Sequence, residues 1–228
     1  MITVHHLNNS RSQRILWMLE ELKLEYEIIR YERDAKTMQG PKSLREIHPL
    51  GKSPIINDDG SGEQILIAES GAIIEYLMQT YGKNSSLITP KSGSQEERDY
   101  RYWLHFSEGS LTPPLLLRLI FNRVKSAPVP FFVKPITKAI SNKVLTGFVN
   151  PNIQSLLDFI DSSLEGKKWL LGDHLSAADI QMSFPLESSI AIGIIDEQYS
   201  AIQSYVEQIH QQPAYQSALL RGGKYDYA

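Results

Sequence analysis

The sequence predicts an α+β domain followed by an all-α domain, and three observations carry that prediction. Up to Tyr81, short β-forming runs alternate with stretches of helical periodicity. From Gly82 to Ser94 the chain is rich in Gly, Ser, Lys and Pro, the composition of a linker. Beyond it every periodic stretch has helical spacing. The division expected is residues 1–82, a linker over 83–92, and a helical domain over 93–228. A chain of 228 residues is long enough for two modest domains, each with its own core.

Ile2 to His6 reads as a strand, and Asn8-Asn9-Ser10 breaks it. In Arg14 to Leu22, Ile15, Leu16, Met18, Leu19 and Leu22 make a helical pattern. Tyr26 to Tyr31 is a second strand, so the unit is a parallel βαβ crossover. Lys42 to Ile47 is a brief helical or irregular stretch ended by His48-Pro49 and Gly51. Ile55-Ile56-Asn57 and Ile65-Leu66-Ile67 flank the turn formers Asp58-Asp59-Gly60-Ser61-Gly62, which predicts an antiparallel hairpin. That turn lacks the spacing and terminal Glu of a calcium loop. Ser70 to Tyr81 is a third helix.

In the second half, Glu96 to about Val124 reads as one long helix, bent where Pro113-Pro114 removes two backbone donors. Helical patterning resumes over Ile136 to Phe148 and Ile153 to Leu164. Ser176 to about Ile195 and Ala201 to Gln211 complete the predicted set. Ser176-x-x-Asp179 fits a capping box with Asp in place of Glu, a structural feature, and Pro185 is expected to bend the helix it starts.

Composition narrows the function. Hydrophobic residues make up 42% and charged residues 21%, as in soluble globular proteins. The net charge is −3 with no block of like charges, which argues against a nucleic-acid partner. The N-terminus lacks a secretory pattern, and no apolar run approaches the ~20 residues of a membrane span, so a cytoplasmic protein is expected. The chain has no cysteine, which excludes disulfides, Cys-ligated metals and Cys nucleophiles within it. Thiol chemistry would need a thiol brought by a substrate.

The βαβ-ββα order with Ser53-Pro54 before the hairpin resembles the thioredoxin fold as glutathione transferases use it. His48-Pro49-Leu50-Gly51-Lys52-Ser53-Pro54 is similar to the family's Asn-Pro-x-Gly-x-Val-Pro segment, with His for Asn and Ser for Val. Ile67-Ala68-Glu69-Ser70-Gly71-Ala72-Ile73 and Leu175-Ser176-Ala177-Ala178-Asp179-Ile180 resemble two further family segments. The stretches from Glu108 to Leu115 and from Asp179 to Leu186 are similar to the fungal and bacterial branch typified by a yeast enzyme.

The resemblance implies glutathione as co-substrate, no metal, a homodimer, and conjugation to small apolar electrophiles with a peroxidase capacity. A non-catalytic binding or scaffold protein of the same fold is the alternative, and retention of Lys52, Glu69 and Ser70 argues against it. Ser70 stands where a strand meets a helix, so unpaired helical N–H groups and the dipole favour an anion there. By resemblance it holds the γ-glutamyl carboxylate while Glu69 faces the ammonium; an ordinary helix cap is the other reading. The resemblance also implies a cis Ser53–Pro54 bond, with the Ser53 backbone pairing to the cysteinyl unit like an added strand. Lys52 then reaches the glycyl carboxylate, with Gln39 as a further contact.

A free thiol has a pKa near 8.5, and one hydrogen bond to a charged partner, worth roughly 1.5–3 kcal/mol, lowers it by about one to two units. Ser10, followed four residues later by Arg14, resembles the Ser-x-x-x-Arg start of serine-type members and is assigned as that donor. Asn9, Asn8 and Ser12 are alternatives. His5 and His6 are not taken as bases; one is expected to be buried and the other exposed. The acceptor pocket is expected on the face carrying Tyr102, His105 and Phe106, for which core or dimer packing is the competing role.

Overall fold

The computed structural model describes residues 1–34, 37–60 and 62–228, so Ser61 of the predicted hairpin turn lies outside the described residues. Its first half contains β1 (Ile2–Leu7), α1 (Ser12–Glu21), β2 (Tyr26–Tyr31), α2 (Ser43–Ile47), β3 (Ile55–Asp58), β4 (Ile65–Ala68) and α3 (Ser70–Tyr81). The strands form one sheet in the order β2-β1-β3-β4, with β1 and β2 parallel and the other pairs antiparallel. This is the thioredoxin-like βαβ-ββα arrangement. Register places Val4 beside Ile28 and Ile56, and Ile56 beside Ile67, so one face of the sheet is continuous apolar surface. Both histidines of β1 are buried, contrary to the expectation that one would be exposed. A central strand covered on both faces has no solvent side, and His5 and His6 find partners in the Tyr31 hydroxyl and the Ser12 hydroxyl.

The second half is all-helical: α4 (Gln95–Phe106), α5 (Thr112–Lys125), α6 (Lys134–Val144), α7 (Asn150–Leu164), α8 (Ala177–Ala191), α9 (Ser200–His210) and α10 (Pro213–Gly222). The predicted long helix is interrupted by a π-helical turn at Ser107–Leu111. Pro113 and Pro114 follow in the first turn of α5, where no intrahelical donor is required. A second π turn, Leu145–Val149, precedes Pro151 and joins the two stretches that sequence periodicity separated. Wider i→i+5 turns absorb the hydrogen bonds that a proline cannot donate. Among the described residues no helix is long and apolar enough to cross a membrane.

Sequence reading missed α10. Its polar residues hide a short apolar face: Tyr215 and Ala218 are buried, and Tyr215 meets Trp17 of α1 edge-on at 5.3 Å. Gly222 closes the contact, because a Cβ there would lie 2.8 Å from Leu16 Cδ1 and 2.9 Å from Gln13 Oε1. Ser12 to Leu19 of α1 are all buried, since α1 lies between the sheet and α3, α8 and α10. Within this enclosed helix, Ser12 and the terminal nitrogens of Arg14 find partners on other elements, and the Arg14 contacts lead to the site.

Candidate functional site

Three chain turns converge at the edge of the sheet. After α2, Gly51 turns the chain at a φ of +57, where a Cβ would come within 2.5 Å of Arg45 Cγ. The turn delivers Lys52 and Ser53 ahead of β3. The Ser53–Pro54 peptide is cis. The Ser53 hydroxyl donates to the His5 carbonyl at 2.8 Å, and among the described residues no hydrogen bond uses the Ser53 backbone N–H or C=O. After β4, Glu69 adopts φ 75 and ψ 123, and Ser70 opens α3. A cleft of about 180 Å³ lies between these turns, lined by Lys52, Ser53, Pro54, Ala68, Glu69 and Ser70. Arg11, His48, Leu50 and Glu108 complete it.

The chemistry of the cleft is set from beneath by Arg14, whose side chain is fully buried. It donates to the Ser70 hydroxyl at 3.2 Å, to Ser107 Oγ at 3.1 Å and to Glu108 Oε1 at 2.6 Å. Gln181 of α8 donates to the same Ser70 oxygen at 3.4 Å. A hydroxyl has two acceptor sites and one donor. With Arg14 and Gln181 on the acceptor sites, the Ser70 O–H is left to donate toward the cleft, beside the unpaired N–H groups that begin α3. α1 and the helical half of the molecule thus hold the Ser70 hydroxyl at the mouth of α3.

Glu108, from the π turn after α4, also accepts from Arg11 Nε at 3.1 and 3.0 Å. Burial alone would raise its carboxyl; Arg14 and Arg11 outweigh that and hold it below the ordinary carboxylate value. Burial pushes the Arg14 guanidinium down against the pull of Glu108, yet arginine retains its proton at physiological pH, so the pair is ionised.

The Glu69 backbone is strained. A non-glycine residue at this φ costs about 1–3 kcal/mol, and glycine returns roughly 0.5–1 kcal/mol of that through its freer unfolded state. Glu69→Gly is therefore expected to stabilise the protein by about 1 kcal/mol, raising the melting temperature by ~2–4 °C. A melt that is unchanged or lower would mean that the strain is relieved by contacts of the Glu69 side chain.

The remaining predicted residues lie elsewhere. Ser10 is buried; its hydroxyl donates to the Leu7 carbonyl at 2.7 Å and lies 2.8 Å from Ser12 Oγ. Ser12 continues to His6 Nδ1 at 2.8 Å. Burial, aided by Arg30, lowers the His6 pKa to about 4, so this imidazole is neutral. Asn8 Oδ1 accepts from the Arg33 N–H, and Asn9 exchanges two hydrogen bonds with Asp226. None of these four residues of the β1–α1 turn lines the cleft, and neither does Gln39, which is exposed in the loop after β2. Tyr102 and Phe106 join Trp103 and Phe159 in an aromatic cluster, with Trp103 and Phe159 stacked at 5.5 Å, while His105 is exposed.

Sequence reasoning missed Arg11, Glu108, His48 and Leu50 as cleft residues and Gln181 as a support. His48, Leu50 and Glu108 lie inside segments that resemble the family. No periodicity signals that Arg11 pairs with an acid in the other domain.

Residues 1–79 match the family model "Glutathione S-transferase, N-terminal domain", and residues 130–213 match "Glutathione S-transferase, C-terminal domain". The chain is 33% identical over 219 residues to glutathione S-transferase 1 of Saccharomyces cerevisiae, covering 94% of this chain and 92% of the relative. It is 35% identical over 215 residues to glutathione S-transferase 3 of Schizosaccharomyces pombe, covering 94% and 85%. Among solved structures, a glutathione S-transferase from Actinobacillus pleuropneumoniae superposes with a TM-score of 0.77 at 32% identity, over 96% of this chain and 91% of that one. A protein with this fold, this cleft and these relatives belongs to the glutathione S-transferase family.

Proposed function

We propose that the cleft binds glutathione and that the protein conjugates its sulfur to small apolar electrophiles, using the same thiolate to reduce organic peroxides. The observation that carries this reading is the Ser70 hydroxyl on the cleft wall, which accepts from Arg14 and Gln181 and so keeps its O–H free to donate to a ligand. In this assignment Ser70 and the α3 N-terminus take the γ-glutamyl carboxylate, and Glu69 takes the ammonium. The Ser53 backbone pairs with the cysteinyl unit beside Pro54, and Lys52 meets the glycyl carboxylate as a point charge. Gln39 is a peripheral contact to that carboxylate.

Ser10 is the proposed thiolate donor. Its hydroxyl, held by the Leu7 carbonyl, rotates onto the sulfur when glutathione binds, with Asn9, Asn8 and Ser12 as the alternatives on the same turn. The acceptor enters beside α4, where Tyr102 and His105 are exposed and Phe106 supports them. The working protein is a cytoplasmic homodimer divided into residues 1–82, a linker at 83–92, and 93–228.

Two measurements test this. Ser70→Ala is expected to weaken glutathione binding by about ten- to a hundredfold, the worth of a hydrogen bond to a charged group, in titration calorimetry. Ser10→Ala is expected to raise the apparent pKa of the bound thiol, followed by thiolate absorbance, by about one to two units. Failure of the wild-type protein to bind glutathione or to turn over a chlorinated aromatic would overturn the function. An unmoved thiol pKa would overturn only the role of Ser10.

A further inference from the structure

The helical pair α5–α6 carries a surface that the glutathione site does not use. Phe131 and Phe132, in the segment joining the two helices, are 84% and 65% exposed and pack edge-on against each other at 5.6 Å. Ile136 and Ile140, one turn apart on α6, are also more than half exposed. Apolar side chains at such exposure mark a contact that the isolated chain does not make.

Charge identifies the partner. Between Glu108 and Asp158 the sequence has no Asp or Glu, while Arg118, Arg123, Lys125, Lys134, Lys138 and Lys143 all fall there, in a chain of net charge −3. These cations form no consecutive run; it is the missing acids that make the hairpin uniformly basic. Lys125 ends α5 and Lys134 begins α6, so the two phenylalanines are flanked by positive charge. A hollow of about 240 Å³ is lined by Arg118, Asn122 and Lys125 of α5 and by Asn142, Thr146 and Asn150. Arg118 is steadied there by Asn150 Oδ1 at 2.9 Å. Two cations and several amide and hydroxyl donors suit a phosphate group.

We propose that the α5–α6 hairpin docks on an anionic phospholipid bilayer. Phe131 and Phe132 enter the headgroup–acyl boundary, the lysines and arginines meet the anionic headgroups, and the hollow takes a lipid phosphate. Exposed aromatic and branched side chains gain little on a nucleic-acid backbone but are buried by a bilayer. A second copy of the chain is disfavoured, because a two-fold contact brings the same basic patch against itself. The cytoplasmic leaflet of cell membranes carries the required negative charge.

Flotation of the full-length protein with phosphatidylcholine vesicles, with and without phosphatidylserine, tests the proposal. Binding is expected only with phosphatidylserine and is expected to weaken as salt is raised. Neutralising Lys134 and Lys138 (K134Q, K138Q) should cost roughly fivefold in partitioning for each charge. The double variant F131A/F132A should lose on the order of tenfold or more while keeping its circular dichroism and glutathione affinity. The absence of phosphatidylserine-dependent binding, or equal binding by all variants, would overturn it. So would dissociation of F131A/F132A into smaller species in sedimentation, which would assign the face to a second copy.

Discussion

Asp179→Ala is expected to lower the melting temperature by ~10 °C or more while leaving glutathione affinity below the transition unchanged. Asp179 is fully buried at the start of α8, and each of its oxygens accepts two hydrogen bonds. Oδ2 takes the Ser176 N–H at 2.8 Å and the Ser176 hydroxyl at 2.7 Å. Oδ1 takes the Leu170 N–H at 2.9 Å and the Tyr205 hydroxyl at 3.0 Å. Burial pushes this carboxyl up, while the four converging donors pull it back down by favouring the carboxylate. Alanine strands all four donors in the interior. At about 1 kcal/mol or more for each, the loss is about 4 kcal/mol, and ~2–4 °C per kcal/mol for a chain of this size gives the shift. Asp179→Asn, which turns an amide N–H₂ against two of the donors, is expected to lose about half as much. A melt within ~2 °C of wild type would show that the box is dispensable.

Arg14→Met is expected to damage both stability and binding. The substitution keeps the apolar stem and removes the fork that joins Ser70, Ser107 and Glu108. Breaking a buried ion pair costs about 3–5 kcal/mol, and the lower figure applies because Glu108 keeps Arg11 and is partly exposed. The melting temperature should fall by ~10 °C. Glutathione affinity should fall by about tenfold or more, because the Ser70 hydroxyl loses the donor that orients its proton.

The pH dependence gives an independent check. The Glu108 carboxyl is held below its ordinary value of 4.5, so the folded state binds this proton less readily than the unfolded chain. Its contribution is present above that value and is lost as pH falls below it. In Arg14→Met this acid limb should shrink. Arg14→Lys keeps a charge without the planar fork and should fall between the two. Equal acid limbs in wild type and Arg14→Met would remove Arg14 as the group holding Glu108.

Much of the fold was legible from the order of residues alone. The spans of β2 and α3 match the predicted ones at both ends, because period-two and period-3.6 patterns there are bounded by clear breakers. The helices after the linker were read one by one, except where packing overrode local pattern. The π turns at Ser107–Leu111 and Leu145–Val149 answer prolines with a change of hydrogen-bond register that composition does not encode. α10 has too few apolar residues to declare itself and becomes a helix because α1 offers it a surface.

The site divides in the same way. That Lys52, Ser53, Pro54, Glu69 and Ser70 share one cleft was legible because each sits in a short local motif whose geometry is made within a few residues. Arg11 and Glu108 were not, because their pairing spans the two domains and neither residue is distinctive alone. The sequence by itself determined the fold class, the family segments around the cleft, and the rule that any reactive sulfur must come from a ligand, since the chain has no cysteine. Only the tertiary structure decided that Arg14 and Gln181 donate to the Ser70 hydroxyl and that the Ser10 hydroxyl is held by Leu7. Only it joined the two halves through one buried arginine. The physical reason is common to all three: a hydrogen-bonding group takes its role from the partners that burial leaves it, and those partners come from elements far apart in the chain.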